Sequence, residues 1–166
     1  MTLAMGGCRE VSYPPPPQRA EVPHEVKAIL DMTGGRPQEA WGSIVSDVAG
    51  GDPGMDWRWT MAHPTFRFVL DSSATWKLNV RITAVATVLA KVGAQHVTFN
   101  VNGKAVGVAT LDRSRLYDLS VPVDKAVLGI AQPAIVRFDV EPCVMPDPGG
   151  PYCILVHSVG FILENR

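Results

Sequence analysis

Apolar and polar residues alternate with period two over most of the chain after residue 55, which is the pattern of half-buried β-strands. The clearest run is TWKLNVRIT at 75–83, where Trp76, Leu78, Val80 and Ile82 share one face. Asn102-Gly103 separates two further runs, and this pair predicts a tight hairpin because both residues tolerate a positive φ. The alternation predicts about eight strands, over 56–60, 65–70, 75–83, 96–101, 104–111, 115–121, 134–140 and 152–162.

The apolar faces of these strands predict the core. Its members are aromatic or branched aliphatic residues at alternate positions, namely Phe66, Phe68, Leu70, Leu78, Val80, Ile82, Val97, Phe99, Val101, Val136, Phe138 and Val140. Short strands joined by turns, without crossover helices between them, indicate an all-β fold. We therefore expect an antiparallel β-sandwich that resembles a jelly roll.

The chain before residue 56 has a different pattern. VPHEVKAILD, residues 22–31, places Val26, Ile29 and Leu30 at helical spacing, which predicts a short helix. PQEAWGSIVSDVAG, residues 37–50, predicts a second short helix that ends at its glycine. We expect both helices to pack at one end or edge of the sandwich.

Four consecutive prolines, Pro14 to Pro17, favour an extended N-terminal tail, since proline donates no backbone hydrogen bond. The sequence thus predicts three parts. They are a proline-rich tether over 1–22, a helical or loop lead-in over 23–55, and the β-sandwich over 56–166.

The composition is that of a globular protein. The 166 residues are 46% apolar and 19% charged, with a formal net charge of -1. A chain of this length can form one domain with a substantial core. The balanced charge argues against nucleic-acid binding, which normally needs a basic surface. No apolar run approaches the roughly 20 residues that span a bilayer.

The sequence contains no recognisable catalytic constellation. His24, His63, His96 and His157 lie far apart and lack the spacing of metal ligands. No serine lies in a Gly-x-Ser-x-Gly elbow. Asp139 and Glu141 are expected to point to opposite faces of one strand, and so not to act as an acid–base pair. We predict a protein that is not an enzyme, with no metal site and no cofactor.

The three cysteines suggest export. Cys143 and Cys153 flank VMPDPGGPY, a loop of turn-forming residues between two predicted strands. A hairpin there would bring the two residues within the ~5.5 Å between Cα atoms that a disulfide needs. Two half-buried thiols in a reducing compartment are the alternative. If the disulfide forms, Cys8 is left over, and an odd cysteine in an exported protein needs a role.

The residues before Cys8, LAMGG, are apolar or small. This stretch resembles the signal of bacterial lipoproteins, in which an apolar run and small residues precede the lipid-modified cysteine. The basic start of such a signal is missing and the apolar run is short. The resemblance implies a lipid anchor at Cys8, and therefore a location at the periplasmic or extracellular face of a bacterial membrane.

The tryptophans are further candidate binding residues, because exposed indole rings stack on sugars and on protein partners. Trp76 shares the face of Leu78, which favours the core. Trp57 and Trp59 share one face of a short strand, and together with Trp41 they are candidates for a ligand or partner platform. For Trp57 and Trp59, a role in plugging the end of the sandwich is equally open.

The segment from Trp57 to Phe161 resembles a galactose-binding-like jelly roll, of the kind found as non-catalytic carbohydrate-binding modules. The resemblance rests on WRWT, FRFVLDSSATWKLNVRITA, GAQHVTFNVNGKAVGVATL, SVPVD and ILVHSVGFI. It implies a β-sandwich that binds glycans or proteins through its loops or one concave face. It implies no particular ligand residue, because a fold does not fix a function.

Two functions follow as hypotheses. The first is a membrane-extrinsic accessory or scaffold subunit that docks on a larger membrane protein complex, such as a photosynthetic or other energy-converting assembly. Its β-sandwich and its extended arm would make the contacts, and the lipid at Cys8 would be its only membrane contact. The alternative is a carbohydrate-binding module of a bacterial cell-surface or periplasmic protein, with exposed coplanar tryptophans beside a polar groove.

Overall fold

A computed structural model describes residues 27–32, 38–39, 42–50, 54–71, 74–129, 132–145 and 151–164. These residues form ten strands and two short helices. In chain order they are β1 Lys27–Asp31, β2 Gln38–Glu39, β3 Gly42–Val48, β4 Arg58–Phe68, β5 Trp76–Thr83, α1 Ala86–Val92, β6 Gln95–Val101, β7 Lys104–Leu111, β8 Leu116–Val123, α2 Lys125–Leu128, β9 Ala134–Glu141 and β10 Leu155–Leu163.

The strands form two antiparallel sheets that pack face to face. Sheet A has the order β1-β10-β5-β8, and sheet B has the order β2-β3-β4-β9-β6-β7. The start of β4 joins the two sheets at one corner, where Arg58 and Trp59 pair with Val156 and Leu155 of β10. The predicted all-β sandwich is therefore confirmed.

The core lies between the two sheets. Phe68 of sheet B and Phe161 of sheet A meet edge to face, with 5.4 Å between ring centroids. The predicted core residues are all buried except Leu70, which is partly buried and packs against the others. Trp76 is buried as its position predicts. Period-two alternation was sufficient to identify these residues because each sheet buries only one face.

The Asn-Gly hairpin between β6 and β7 is also confirmed. Asn102 and Gly103 have φ angles of 49° and 79°, which a tight hairpin of this type requires. The Asn102 side chain donates to the carbonyls of Val127 and Leu128, and its oxygen accepts from the backbone N–H of Ile135. The turn is thereby fixed to α2 and to the start of β9.

Both predicted N-terminal helices are wrong in the described residues. The described part of 22–31 is β1, which pairs along β10 and buries Ala28 and Leu30 on alternate positions. Most of the described part of 37–50 is β3, which pairs with β4. Without β1 and β3, the outer edges of β10 and β4 would each present a row of unpaired backbone N–H and C=O groups. Pairing with these edges outweighs the weak helical spacing of the two segments. The remainder of both segments lies outside the described residues.

The two short helices occur elsewhere. α1 ends at Gly93, whose φ of 77° and hydrogen bond to the Leu89 carbonyl are typical of a helix C-terminus. α2 begins after Asp124, whose side chain accepts from the Ala126 N–H.

The strands predicted over 56–60 and 65–70 are one long strand, β4. Its pairing with β3 is irregular, because Thr60 lies opposite Val48 whereas Thr65 lies opposite Ser46. Four residues of β4 thus face one residue of β3, which makes a bulge over 61–64. Bulges redirect side chains beside functional sites, and this one contains His63.

Candidate functional site

A polar groove runs along the outer face of sheet B. One cavity of about 410 Å³ is lined by His63, His96, Thr98, Arg137, Asp139 and Glu141. An adjoining cavity of about 530 Å³ shares two of these residues and adds Thr65, Asn100, Gly103 and Ile135. The two cavities adjoin at Arg137 and Asp139, and we refer to them together as the groove.

The strand register explains why these side chains meet. Thr65 of β4 and Asn100 of β6 flank Arg137 of β9 on its two sides. One step further along β9, Thr98 lies opposite Asp139. Residues two apart in a strand lie on one face, so the polar positions of three neighbouring strands form a grid above the core.

Asp139 is the centre of this groove. Its Oδ1 accepts from Nε and Nη2 of Arg137 at 2.9 and 2.8 Å, and lies 2.8 Å from Nδ1 of His63. Its Oδ2 accepts from the side-chain amide of Asn100 at 2.7 Å. Three side chains on three strands are thus held in fixed orientations around one carboxylate, which leaves their remaining donors and acceptors preorganised for a ligand.

These contacts also determine the ionisation of Asp139. Partial burial of the carboxyl group by itself raises its pKa, but the hydrogen bond from Arg137, followed by that from His63, outweighs this effect. The pKa of Asp139 is therefore lowered from its ordinary value of 3.8. The carboxylate is ionised at neutral pH and acts as an acceptor.

The expected orientation of Asp139 and Glu141 is wrong. Both side chains line the same cavity, because positions i and i+2 of a strand share a face. Their separation along β9 places Glu141 opposite His96 and beside the Asp139 cluster. The described residues contain no group of three or more histidines, cysteines or acidic residues able to hold a metal ion.

Three aromatic rings, Trp57, Trp59 and Tyr152, form a cluster that we call the aromatic corner. The two indole rings are 6.4 Å apart and meet at 82°, so they are not coplanar as the glycan hypothesis expected. Trp59 also contacts Tyr152, with 5.3 Å between centroids and 54° between planes. Tyr152 is 40% exposed and both tryptophans are half-buried. Trp41, the third platform candidate, lies outside the described residues.

The predicted disulfide supports this corner. Cys143 and Cys153 are bonded, with 4.6 Å between their Cα atoms. Immediately inside the loop, Val144 and Tyr152 exchange two backbone hydrogen bonds of 2.9 and 3.0 Å. Cys153 donates its N–H to the carbonyl of Thr60, next to Trp59. The disulfide and these hydrogen bonds therefore fix the backbone of Tyr152 beside β4.

The groove and the aromatic corner are consecutive along the same two strands. Trp59 precedes His63 by four residues in β4, and Cys143 follows Asp139 by four residues after β9. In β4, Trp59 and every second residue from it to Arg67 are exposed or half-buried. The buried positions of the strand are Arg58, Thr60, Pro64, Phe66 and Phe68. A ligand that follows the strands would pass from one region to the other.

Within the described part of the chain, no helix is long and apolar enough to cross a membrane. Cys8 and the tether lie outside it.

Comparison with solved structures agrees with the fold. The chain is similar to the xylan-binding module CBM15, with a TM-score of 0.51 and 16% identity over 86% of this chain and 99% of that one. It is also similar to the CBM36-1 domain of a multidomain xylanase from the hindgut metagenome of Trinervitermes trinervoides, with a TM-score of 0.44, 9% identity and coverage of 85% and 100%. No protein-family model and no curated protein matches the sequence.

The likeness to CBM15 shows that this chain has the fold of a carbohydrate-binding module, as its resemblance to such modules predicted. At this identity the likeness concerns the fold alone.

Sequence reasoning missed the groove. The signal was present in AIVRFDVE, where Arg137, Asp139 and Glu141 occupy alternate positions. A charged strand face is usually only solvated, so this pattern did not single out a site. The approach of β4 and β6 to β9 is what makes it one, and these strands are far apart in the sequence.

Proposed function

We propose that this protein is a carbohydrate-binding module, which binds a glycan in the polar groove of sheet B. The observation that carries the proposal is the Asp139 cluster, in which Arg137, His63 and Asn100 are held at hydrogen-bond distance around one carboxylate. Preorganised side chains lose little conformational entropy on binding, which favours affinity. Because these side chains are polar, the ligand they favour is one rich in hydroxyl groups.

The chemistry of the groove suits sugars. A sugar hydroxyl is both donor and acceptor, and the groove offers both kinds of group: the guanidinium of Arg137, the carboxylates of Asp139 and Glu141, and the hydroxyl of Thr98. The sandwich fold shared with CBM15 supports the same interpretation. Trp57 and Trp59 remain candidates for a platform beside the groove.

Native affinity electrophoresis tests the proposal. The protein is run in gels that contain soluble xylan, mannan, mixed-linkage glucan or galactan. We expect at least one polysaccharide to retard the wild-type protein, and Asp139→Ala to reduce the retardation. If none of the four retards the wild-type protein, carbohydrate binding in this groove is contradicted.

The chain offers a matched control. Asp118 pairs with Arg81 on the outer face of sheet A, with 3.4 Å between Nε and Oδ2. Asp118→Ala therefore removes an arginine-paired aspartate from the other sheet. It should leave the retardation unchanged, which separates a site effect from a general effect of lost charge.

The proposal extends to the location of the protein, whereas docking on a membrane complex is the other hypothesis that the sequence raised. The Cys143–Cys153 disulfide favours an oxidising compartment outside the cytosol, such as the periplasm or the cell surface. Docking on a membrane complex through the tether is tested separately, by deletion of residues 9–20. The deletion should weaken co-purification with a membrane partner if docking is correct. An undiminished association, or a solitary protein in the cytosol, contradicts docking.

A further inference from the structure

We infer that Trp59 and Tyr152 form a stacking subsite that extends the groove, so that the ligand is a neutral polysaccharide bound as an extended chain. This inference rests on the proposed function and names the class of ligand. It depends on three observations: the contact of the two rings, their position at one end of the groove, and the charges that line the groove.

The two rings are suited to a sugar face. Aromatic rings present an apolar face, and tyrosine adds a polar hydroxyl at its edge. The Trp59–Tyr152 contact of 5.3 Å, with planes tilted by 54°, forms an angled surface. Tyr152 is 40% exposed, and Met145, which follows its pairing partner Val144 in the chain, is 71% exposed. A ligand can therefore cover apolar surface here that water now contacts, which favours binding.

The position of the rings determines the length of the ligand. Thr65 lines the groove at one end, and Trp59 lies six residues before it in the same strand. At about 3.3 Å per residue, that stretch of β4 spans at most about 20 Å. A chain of several sugar units would reach both the Asp139 cluster and the rings, whereas a disaccharide would occupy the groove alone.

The charges determine the ligand class. The fully charged groups that line the two cavities are Arg137, Asp139 and Glu141. The two carboxylates outnumber the one guanidinium, and Asp139 already occupies two nitrogens of Arg137. A uronic or sulfated polymer would bring further negative charge beside two carboxylates, which is unfavourable. A neutral polymer meets no such repulsion.

The test compares two ligand lengths. Disaccharides and hexasaccharides of β-1,4-linked xylose, mannose and glucose are titrated, the hexasaccharides by calorimetry and the disaccharides by NMR chemical shifts. For the hexasaccharide that binds best, we expect Trp59→Ala and Tyr152→Ala each to weaken binding by about tenfold, the order of effect of losing one stacked ring. The disaccharide affinity should not change. Asp139→Ala should weaken both ligands.

Controls separate stacking from folding. Tyr152→Phe keeps the ring and should retain at least about half of the affinity, a difference well below 1 kcal/mol. Leu116→Ala removes a side chain that is 43% exposed on sheet A, and should have no effect on binding. Thermal melts confirm that each variant is folded, and Tyr152→Ala carries the test if Trp59→Ala does not fold.

The outcomes are distinct. If both alanine variants bind the hexasaccharide as the wild type does while Asp139→Ala does not, the stacking subsite is wrong and the proposed function stands. If polygalacturonate retards the protein more than the neutral polymers do, the ligand class is wrong. If the two variants alter only the oligomeric state, the corner is a protein interface and the inference fails. If the wild type binds no glycan, both proposals fail.

Discussion

Phe99 and Phe138 meet edge to face inside the sandwich, with 5.0 Å between their ring centroids and 89° between their planes. They are directly opposite each other in the β6–β9 register. Phe66 of β4 contacts Phe138 on its other side, at 5.5 Å. The same three strands carry the polar groove on their outer face, so this aromatic row supports the groove from below.

Replacing one phenylalanine of this row by alanine should destabilise the protein strongly. We expect Phe138→Ala or Phe99→Ala to lower the free energy of unfolding by about 3–5 kcal/mol, because each leaves a cavity among fully buried rings. Urea denaturation measures the loss. Val108→Ala, at a position 79% exposed on β7, should change stability by less than about 0.5 kcal/mol. Unchanged melting temperatures for both phenylalanine variants would contradict the core assignment.

The sequence was sufficient to predict this row because local alternation identifies the buried face of each strand. It was insufficient for the N-terminal strands. Val26, Ile29 and Leu30 match helical spacing, while Ala28, Leu30 and Met32 match strand spacing equally well. Such a short segment satisfies both patterns, and the pairing of β1 with β10, more than 100 residues later, decides between them.

The candidate site was harder to predict for a similar reason. Alternation places Arg137 and Asp139 on one face, but it does not say which strands lie beside them. His63 reaches Asp139 because β4 bulges and lies next to β9. Tyr152 reaches Trp59 through the corner where the sheets join. Contacts of this kind depend on topology, which a single sequence does not reveal.

Gly160 is a position where the backbone leaves no room for a side chain. A Cβ atom there would overlap the carbonyl oxygen of Ala28 and the Cα of Ile29, because β1 crosses close to β10. Glycine within a strand often marks such a close approach. We expect Gly160→Ala to displace β1 and to lower stability by about 1–3 kcal/mol, a typical cost of overpacking.

Gly50→Ala is the matched control for that change. Nothing lies within 4 Å of a Cβ at Gly50, and its φ is not in the left-handed region. Its stability should equal that of the wild type within about 0.5 kcal/mol. Hydrogen exchange of the β1 amides should accelerate in Gly160→Ala. If those amides keep wild-type protection, the close approach is not a constraint.

Asp139 should make stability depend on pH in the acid range. Its pKa in the folded protein is lowered from 3.8, so the unfolded chain binds more protons as the pH falls. Its contribution is fully present above the unfolded pKa and is lost as the pH falls through the folded value. We expect the melting-temperature difference between wild type and Asp139→Asn to shrink below about pH 4. A difference that stays constant down to about pH 2 would contradict this role.

The disulfide should stabilise the fold and hold the aromatic corner together. Cys143 and Cys153 are ten residues apart in the sequence, and closing so short a loop contributes on the order of 2–3 kcal/mol. Mass spectrometry of the non-reduced protein should recover the two cysteines in one linked peptide, and two alkylatable thiols at these positions would refute the bond.

In the Cys143→Ala/Cys153→Ala variant the loop loses its covalent closure, although Val144 and Tyr152 retain their backbone pairing. We therefore expect a lower melting temperature together with a weaker near-ultraviolet circular dichroism signal from Trp59. Reduced stability with an unchanged aromatic signal would show that the backbone pairing alone positions Tyr152.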